Sequence, residues 1–350
     1  MAAKINGSSC NIKKPDELQN SEDGEVHVFS SSAELLETIQ KKWDTKNIKP
    51  YPAMYSSVYG GIILEPAMMV IPMDDHMVHR GHGVFDTAAI CDGFLYELDE
   101  HLERFHRSAS KAKITSPFPL PTLRSILIQL AAVSECKNGS LRYWLSSGPG
   151  NFSLTPGKSA TSAFYAIVIA EDNVRYTKGF KVITTSIPMK SPIFAEIKSV
   201  NYLPNVLARM EAEAKGALAS IWVDEQGYVG EGPNMNVAFI TKEKELVLPC
   251  FDRILRGCTA LRLLELAPRL VEQGKLKGVK VANISAVEAK EASEMMYVGS
   301  GWPIGPIVMW DDKPIGDGNV GELTLSLLDL LWEDLKAGPE SKRIQIPYRE

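Results

Sequence analysis

Two side chains in this sequence are of types that could together make and stabilise a covalent bond to an aldehyde. Lys198 lies in AEIKSVNYLPN, where Ile197, Val200 and Tyr202 give it apolar neighbours. An amine drawn out of water loses its proton more readily, and the neutral amine attacks a carbonyl carbon. Glu231 lies further along in YVGEGPNMN, at the end of a β run whose glycines let another group approach closely. Singly, a lysine ahead of a helix and a glutamate in a hairpin carry no message.

As a pair they match the needs of pyridoxal 5'-phosphate: a lysine that forms a Schiff base with its aldehyde, and an acid that keeps its pyridine nitrogen protonated as an electron sink. Lys190 is the nearest competitor, but it stands between Met189 and Ser191-Pro192 with no helix expected after it, so Lys198 is preferred. Other chemistry fails on spacing. G-x-G-x-x-G is absent, and GNFSLTPGKS places six residues between Gly150 and Gly157 where a phosphate loop needs four. Five of the six histidines (His76, His79, His82, His101, His106) are clustered in sequence, yet Cys91 is the only thiol near them and Gly81 and Gly83 interrupt any helix that would align the rings. No metal is expected, and hydrogen-bonded structural histidines are.

The bulk properties exclude other classes. The chain has 350 residues, with 38 Lys and Arg against 43 Asp and Glu, a net charge of −5 and no basic stripe, so nucleic acid and acidic membranes are not expected partners. No apolar run approaches the ~18 residues of a membrane span. The cysteines (Cys10, Cys91, Cys136, Cys250, Cys258) are odd in number and scattered, which suits reduced thiols. The stretch from Met1 to Phe29 carries acids and no arginine, unlike an Arg-rich transit peptide, and cytosol is the expected compartment.

The elements that must position the pair follow from periodicity and turn chemistry. Residues 1 to about 30 are polar and aperiodic, and disorder is expected there. A short helix capped by Ser32 runs to Trp43, and 49–52 reads as a linker. Short β runs at 54–58, 61–64 and 68–72 lead to a hairpin over 88–96 that turns at Asp92-Gly93. Helices follow at 98–112 and 121–134, then buried strands at 140–147 and 163–170. The polar stretch 171–179 marks a boundary. Beyond it come strands at 181–186, 219–223, 236–240, 245–248, 279–284 and 295–298, with helices at 203–215, 259–272 and 321–336. This is mixed α/β without a fixed repeat.

The order HRGHGVFDT, HLERF, IKSVNYLPNVL, EGPNMNVAF, GCT, VGSG resembles the class IV aminotransferases, the fold-type IV pyridoxal-phosphate enzymes. The resemblance spans Met54 to the C-terminus. It implies two domains, a small α/β domain over 51–172 and a larger pseudo-barrel α/β domain over 173–350, behind a 1–50 extension that is partly disordered with a short helix. It also implies roles. Lys198 is the catalytic, cofactor-bound lysine and proton carrier, and Glu231 the acid at the pyridine nitrogen. Arg104 binds phosphate together with Cys258, Thr259, Gly299 and Ser300, and Tyr202 faces the phenolic oxygen. Phe85, Arg142 and Gly301 face the substrate. Family members are dimers, which implies a homodimer.

Within that family, D-amino-acid transamination with 2-oxoglutarate or pyruvate as acceptor ranks first. Aminodeoxychorismate lyase is second and branched-chain L-amino-acid transamination third. A protein that binds the cofactor without turnover is the alternative of another class. Two departures bear on the ranking: Gly148-Pro149-Gly150 stands where bacterial D-amino-acid enzymes carry an arginine and a histidine, and Tyr202 stands where they have leucine.

Overall fold

The computed structural model describes residues 26–44, 50–157 and 160–348. The expectations for Met1 to Glu25 and for Lys49 lie outside these. The segment up to Asn47 forms a unit of its own. In it Ser32–Asp44 is helical, and the cap is Ser31 rather than Ser32: Ser31 Oγ accepts from Glu34 N–H at 3.2 Å.

From Ile48 onward the chain builds two sheets. The first contains β1 (Ala53–Ser56), β2 (Gly61–Ile63), β3 (Gly83–Cys91), β4 (Phe94–Tyr96), β5 (Gly139–Ser146) and β6 (Ala163–Ala170), all antiparallel neighbours. The β3–β4 hairpin turns at Asp92 and Gly93, both at positive φ as a tight two-residue turn demands. AFYAIVIA can be nearly all apolar because β6 pairs on both sides and the helix Leu120–Val133 covers it. Phe105, from the helix Leu98–Lys111, meets Tyr143 edge to face at 4.9 Å. Leu98, Leu127 and Leu130 are wholly excluded from water, each worth roughly 1.5–3 kcal/mol.

The second sheet contains β7 (Phe180–Thr184), β8 (Ala219–Ile221), β9 (Asn236–Ile240), β10 (Glu245–Leu248), β11 (Gly278–Val281), β12 (Glu294–Val298), β13 (Ile304–Trp310) and the short β14 (Lys313–Pro314), ordered β11-β10-β9-β12-β13-β7-β8 with β14 beside β13. Its edges approach each other. A hairpin beyond β8 bonds Val229 N–H to Ile284 O at 2.9 Å, giving the pseudo-barrel character. The last strand, β15 (Arg343–Gln345), returns to β4 in the first sheet.

Three readings need correction. Residues 68–72 are not a strand: Pro66 opens a 3₁₀ turn over Pro66–Met68, and proline there cannot donate to a ladder. The helix expected over 259–272 is two, Cys258–Leu266 and Pro268–Glu272, because Pro268 has no N–H to continue the first. Lys190 is followed by a helix, Pro192–Ala195.

The parallel pairing of β7 with β8 has a consequence for the site. Parallel neighbours cannot be joined by a hairpin and need a long crossover, here closed by the helix Leu203–Ala214. That crossover carries both Lys190 and Lys198.

Candidate active site

Lys198 is held by its backbone. Its N–H donates to Ser108 Oγ at 3.1 Å, its carbonyl accepts from Phe85 N–H at 2.9 Å, and Val200 N–H reaches Gly83 O at 3.0 Å. The crossover of the second sheet thus pairs with the start of β3 in the first. This fixes the lysine between them, with Nζ 4.8 Å from the centroid of the Phe85 ring. Phe85 in turn meets Tyr202 at 5.2 Å.

Glu231 continues the β8 ladder through Trp222 N–H to its carbonyl at 2.9 Å. The glycines beside it are close-packing positions, as expected. A Cβ on Gly230 would stand 2.8 Å from Met189 Sδ, and one on Gly232 would stand 2.5 Å from Tyr297. The residue is 7% exposed, and its Oε2 accepts from Asn236 Nδ2 at 3.2 Å and Leu255 N–H at 3.3 Å. Burial raises Glu231 to about 7, against the pull of Lys190, the Leu255 amide, Lys198 and Arg104.

A stability prediction follows. A carboxyl whose pKa is higher in the folded than in the unfolded chain binds more protons when folded. Its contribution is therefore fully present below the ordinary value of 4.5 and is lost as pH rises through about 7. Glu231→Gln is expected to stabilise the cofactor-free protein at about pH 8 by on the order of 1–3 kcal/mol and to leave it unchanged at about pH 4. Urea unfolding at both pH values checks this. A loss at about pH 8 that fades toward about pH 4 would mean instead that the ionised carboxylate holds the fold.

Asp86 was not singled out in the sequence, and it organises the other end of the site. It is fully buried on β3 and accepts from Arg104 Nε at 2.9 Å, Arg104 Nη2 at 2.7 Å, His101 Nδ1 at 2.8 Å and Thr87 N–H at 2.7 Å. Burial alone would raise its pKa; Arg104 and His101 outweigh that and hold it far below the carboxylate range. His101 is raised to about 10, because Cys258 and Asp86 outweigh the burial that would lower it. The signal was available. Val84, Asp86, Ala88 and Ile90 are the buried alternate positions of β3, and an acid on that face requires cations, which His101 and Arg104 supply from one helix face at i, i+3.

Arg104 is therefore not a free fork. Asp86 takes one edge, and Nη1 lies 3.5 Å from Arg256 O. Near it the helix Cys258–Leu266 begins after Gly257 with no side-chain cap, leaving its first amides without partners inside the helix. Thr259 Oγ1 is 3.3 Å from Ser300 Oγ, which is 3.5 Å from His101 Nε2. Amides, hydroxyls and a net positive cluster of His101, Arg104 and Asp86 form a cradle suited to a dianion. The other histidines differ in kind. His82 bonds Ala112 O at 2.8 Å, while among the described residues neither buried ring nitrogen of His79 has a partner.

Both ends open into one cleft of about 580 Å³, and all the residues picked out in the sequence line it: Phe85, Arg104, Arg142, Lys198, Tyr202, Glu231, Cys258, Thr259, Gly299, Ser300 and Gly301. Lys190 and Trp302 line it as well. Thr87 Oγ1 accepts from Arg142 Nε at 3.1 Å. Gly301 faces open space, whereas a Cβ on Gly299 would stand 2.7 Å from Met235. A lysine, a buried acid and an anion cradle in one cavity fit the parts of pyridoxal phosphate.

The chain is similar to known proteins in sequence and in fold. The sequence is 58% identical over 297 residues, 85% of this chain and 80% of the other, to the chloroplastic D-amino-acid transaminase of Arabidopsis thaliana. It is 26% identical to the D-alanine aminotransferase of Bacillus licheniformis, over 76% of this chain and 92% of that one. Among solved structures, the branched-chain amino acid aminotransferase of Thermobaculum terrenum in its PLP form superposes with a TM-score of 0.73 over 84% of this chain and 97% of that one, at 19% identity, a likeness of fold. The family model for amino-transferase class IV matches residues 83–310, which contain the lysine, the buried acid and the anion cradle. By sequence and by fold, this chain belongs to the class IV aminotransferases.

Proposed function

We propose that this protein is a pyridoxal-phosphate-dependent transaminase acting on D-amino acids, with 2-oxoglutarate or pyruvate as the amino acceptor. The observation that carries the reading is a single cleft shared by the anchored Lys198 and the buried Glu231. The Arabidopsis relative, named for D-amino acids, supports the donor class.

When bound, the cofactor supplies an aldehyde for amines and a ring that delocalises the electron pair left on the substrate α-carbon. Lys198 is the residue for that aldehyde. Its Nζ is also the group that would take up the substrate α-proton and give it back. Glu231 would accept a hydrogen bond from the ring nitrogen and so keep it protonated. Arg104, Thr259, Ser300 and the amides at Cys258 would hold the phosphate beside Gly299, and Tyr202 would be the partner for the phenolic oxygen. Arg142, whose donors beyond Nε have no hydrogen-bond partner among the described residues, would be the residue for the substrate α-carboxylate, between Phe85 and the open space at Gly301.

The exposed apolar side chains Ile193, Phe194, Leu203 and Met210 suit burial against a second copy, and we propose a homodimer. We also propose a division into a small domain over 51–172 and a larger one over 173–350. Among the described residues, no helix is long and apolar enough to cross a membrane. Cytosol is our proposal for location. A tagged whole chain expressed in plant cells separates it from the plastid named for the Arabidopsis relative.

Purified, cofactor-loaded protein is expected to be yellow and to convert D-alanine with 2-oxoglutarate at least ~10-fold faster than L-leucine. Turnover of L-leucine alone would establish the branched-chain reading, and 4-aminobenzoate released from aminodeoxychorismate would establish the lyase reading. A yellow protein inert to all three would be a binding module, and a colourless one would overturn the cofactor assignment.

A further inference from the structure

Lys190 has no part in the scheme above, yet it stands in the cleft. Met189 packs against Gly230 and thereby places the crossover beside Glu231. The Lys190 ammonium lies 5.3 Å from the Tyr202 ring centroid. It is half-buried, and among the described residues no carboxylate lies within ion-pair distance of it; Glu231 feels its charge from further off. Tyr202 contacts Phe85 at 5.2 Å, and Arg142 Cζ lies 5.8 Å from the Phe85 ring. Besides Lys198, two half-buried cations, neither with a carboxylate in ion-pair distance among the described residues, thus lie against one aromatic pair in the cleft, with donors available to an anion.

We propose that Lys190 forms a second anion subsite, which takes the distal carboxylate of a dicarboxylic keto acid while Arg142 takes the carboxylate next to the carbonyl. The inference rests on the transaminase reading and narrows its acceptor to the 2-oxoglutarate class over the pyruvate class. An ammonium on a flexible stem suits this task, because it can swing out of the way for monocarboxylate substrates.

The test uses cofactor-loaded wild type, Lys190→Met and Lys190→Arg, with glutarate and butyrate as unreactive ligands titrated by the cofactor's visible absorbance and by calorimetry. Lys190→Met is expected to weaken glutarate about 10-fold or more and butyrate less than about 3-fold, and Lys190→Arg to restore glutarate. The ratio of kcat/KM for 2-oxoglutarate over pyruvate should fall by a similar factor. Equal weakening of both ligands would overturn the subsite. So would unchanged glutarate affinity with a displaced pH midpoint of the visible band, which would place Lys190 on the phenolic oxygen through Tyr202. Should Lys190→Met melt early, Lys190→Gln repeats the comparison. Loss of all turnover in wild type, with the glutarate discrimination intact, would overturn the transaminase reading and leave the subsite standing.

Discussion

Replacing Lys198 by alanine is expected to lower transamination by at least about 10⁴-fold, because one side chain serves as covalent anchor and as proton carrier. The defect should lie in kcat, since the cradle of Thr259, Ser300 and the helix amides remains to bind the cofactor. Borohydride treatment of the loaded wild type should fix the cofactor to the chain, with the added mass on the peptide containing Lys198. In Lys198→Ala that adduct should be absent. An adduct on Lys190 instead would reverse the assignment of the two lysines, which share the cleft. The backbone bonds of Lys198 to Ser108 and Phe85 do not depend on its side chain, so the variant should fold, and its melting curve checks this.

Asp86→Asn is expected to cost about 3–5 kcal/mol of stability, the penalty for leaving buried cations without their anion. Asp86 accepts four hydrogen bonds in full burial, two of them from Arg104. Its loss should also weaken cofactor binding, since the guanidinium would no longer be held at the cradle. A loss under about 1 kcal/mol would mean that the cluster relaxes into water and that the ion pair is incidental.

The same cluster shapes the pH response. Asp86 is depressed, so its contribution is present above the ordinary carboxylate pKa and is lost only in strong acid. His101 is raised, so its contribution is complete below 6.5 and disappears as pH climbs through about 10. Wild-type stability should therefore decline between those values with a slope approaching about 1.4 kcal/mol per pH unit, and His101→Gln should flatten it.

Much of the site was legible because its chemistry is written in short tracts. Lys198 and Tyr202 fall in one, Glu231 and Asn236 in another, and Cys258 and Thr259 at a helix start marked by glycine. Within a tract, spacing along the chain fixes which backbone groups and side chains stand together. Asp86 was hidden although it lies in such a tract, since its meaning depends on the strand face it occupies and on a helix that begins only beyond the following hairpin. Lys190 was set aside for want of a following helix, and the structure supplies both the helix and the cleft.

By itself, the sequence determined most of the element types, the mixed α/β class, and the glycines on either side of Glu231 against which neighbours pack. These follow from local periodicity and covalent spacing. The tertiary structure alone decided which cations remain available. Arg104 is spent on one edge by Asp86, whereas among the described residues Arg142 and Lys190 are left without paired acids beside Phe85 and Tyr202. Charge pairing in a folded protein is settled by through-space distance and burial, and neither is a property of neighbours in the chain.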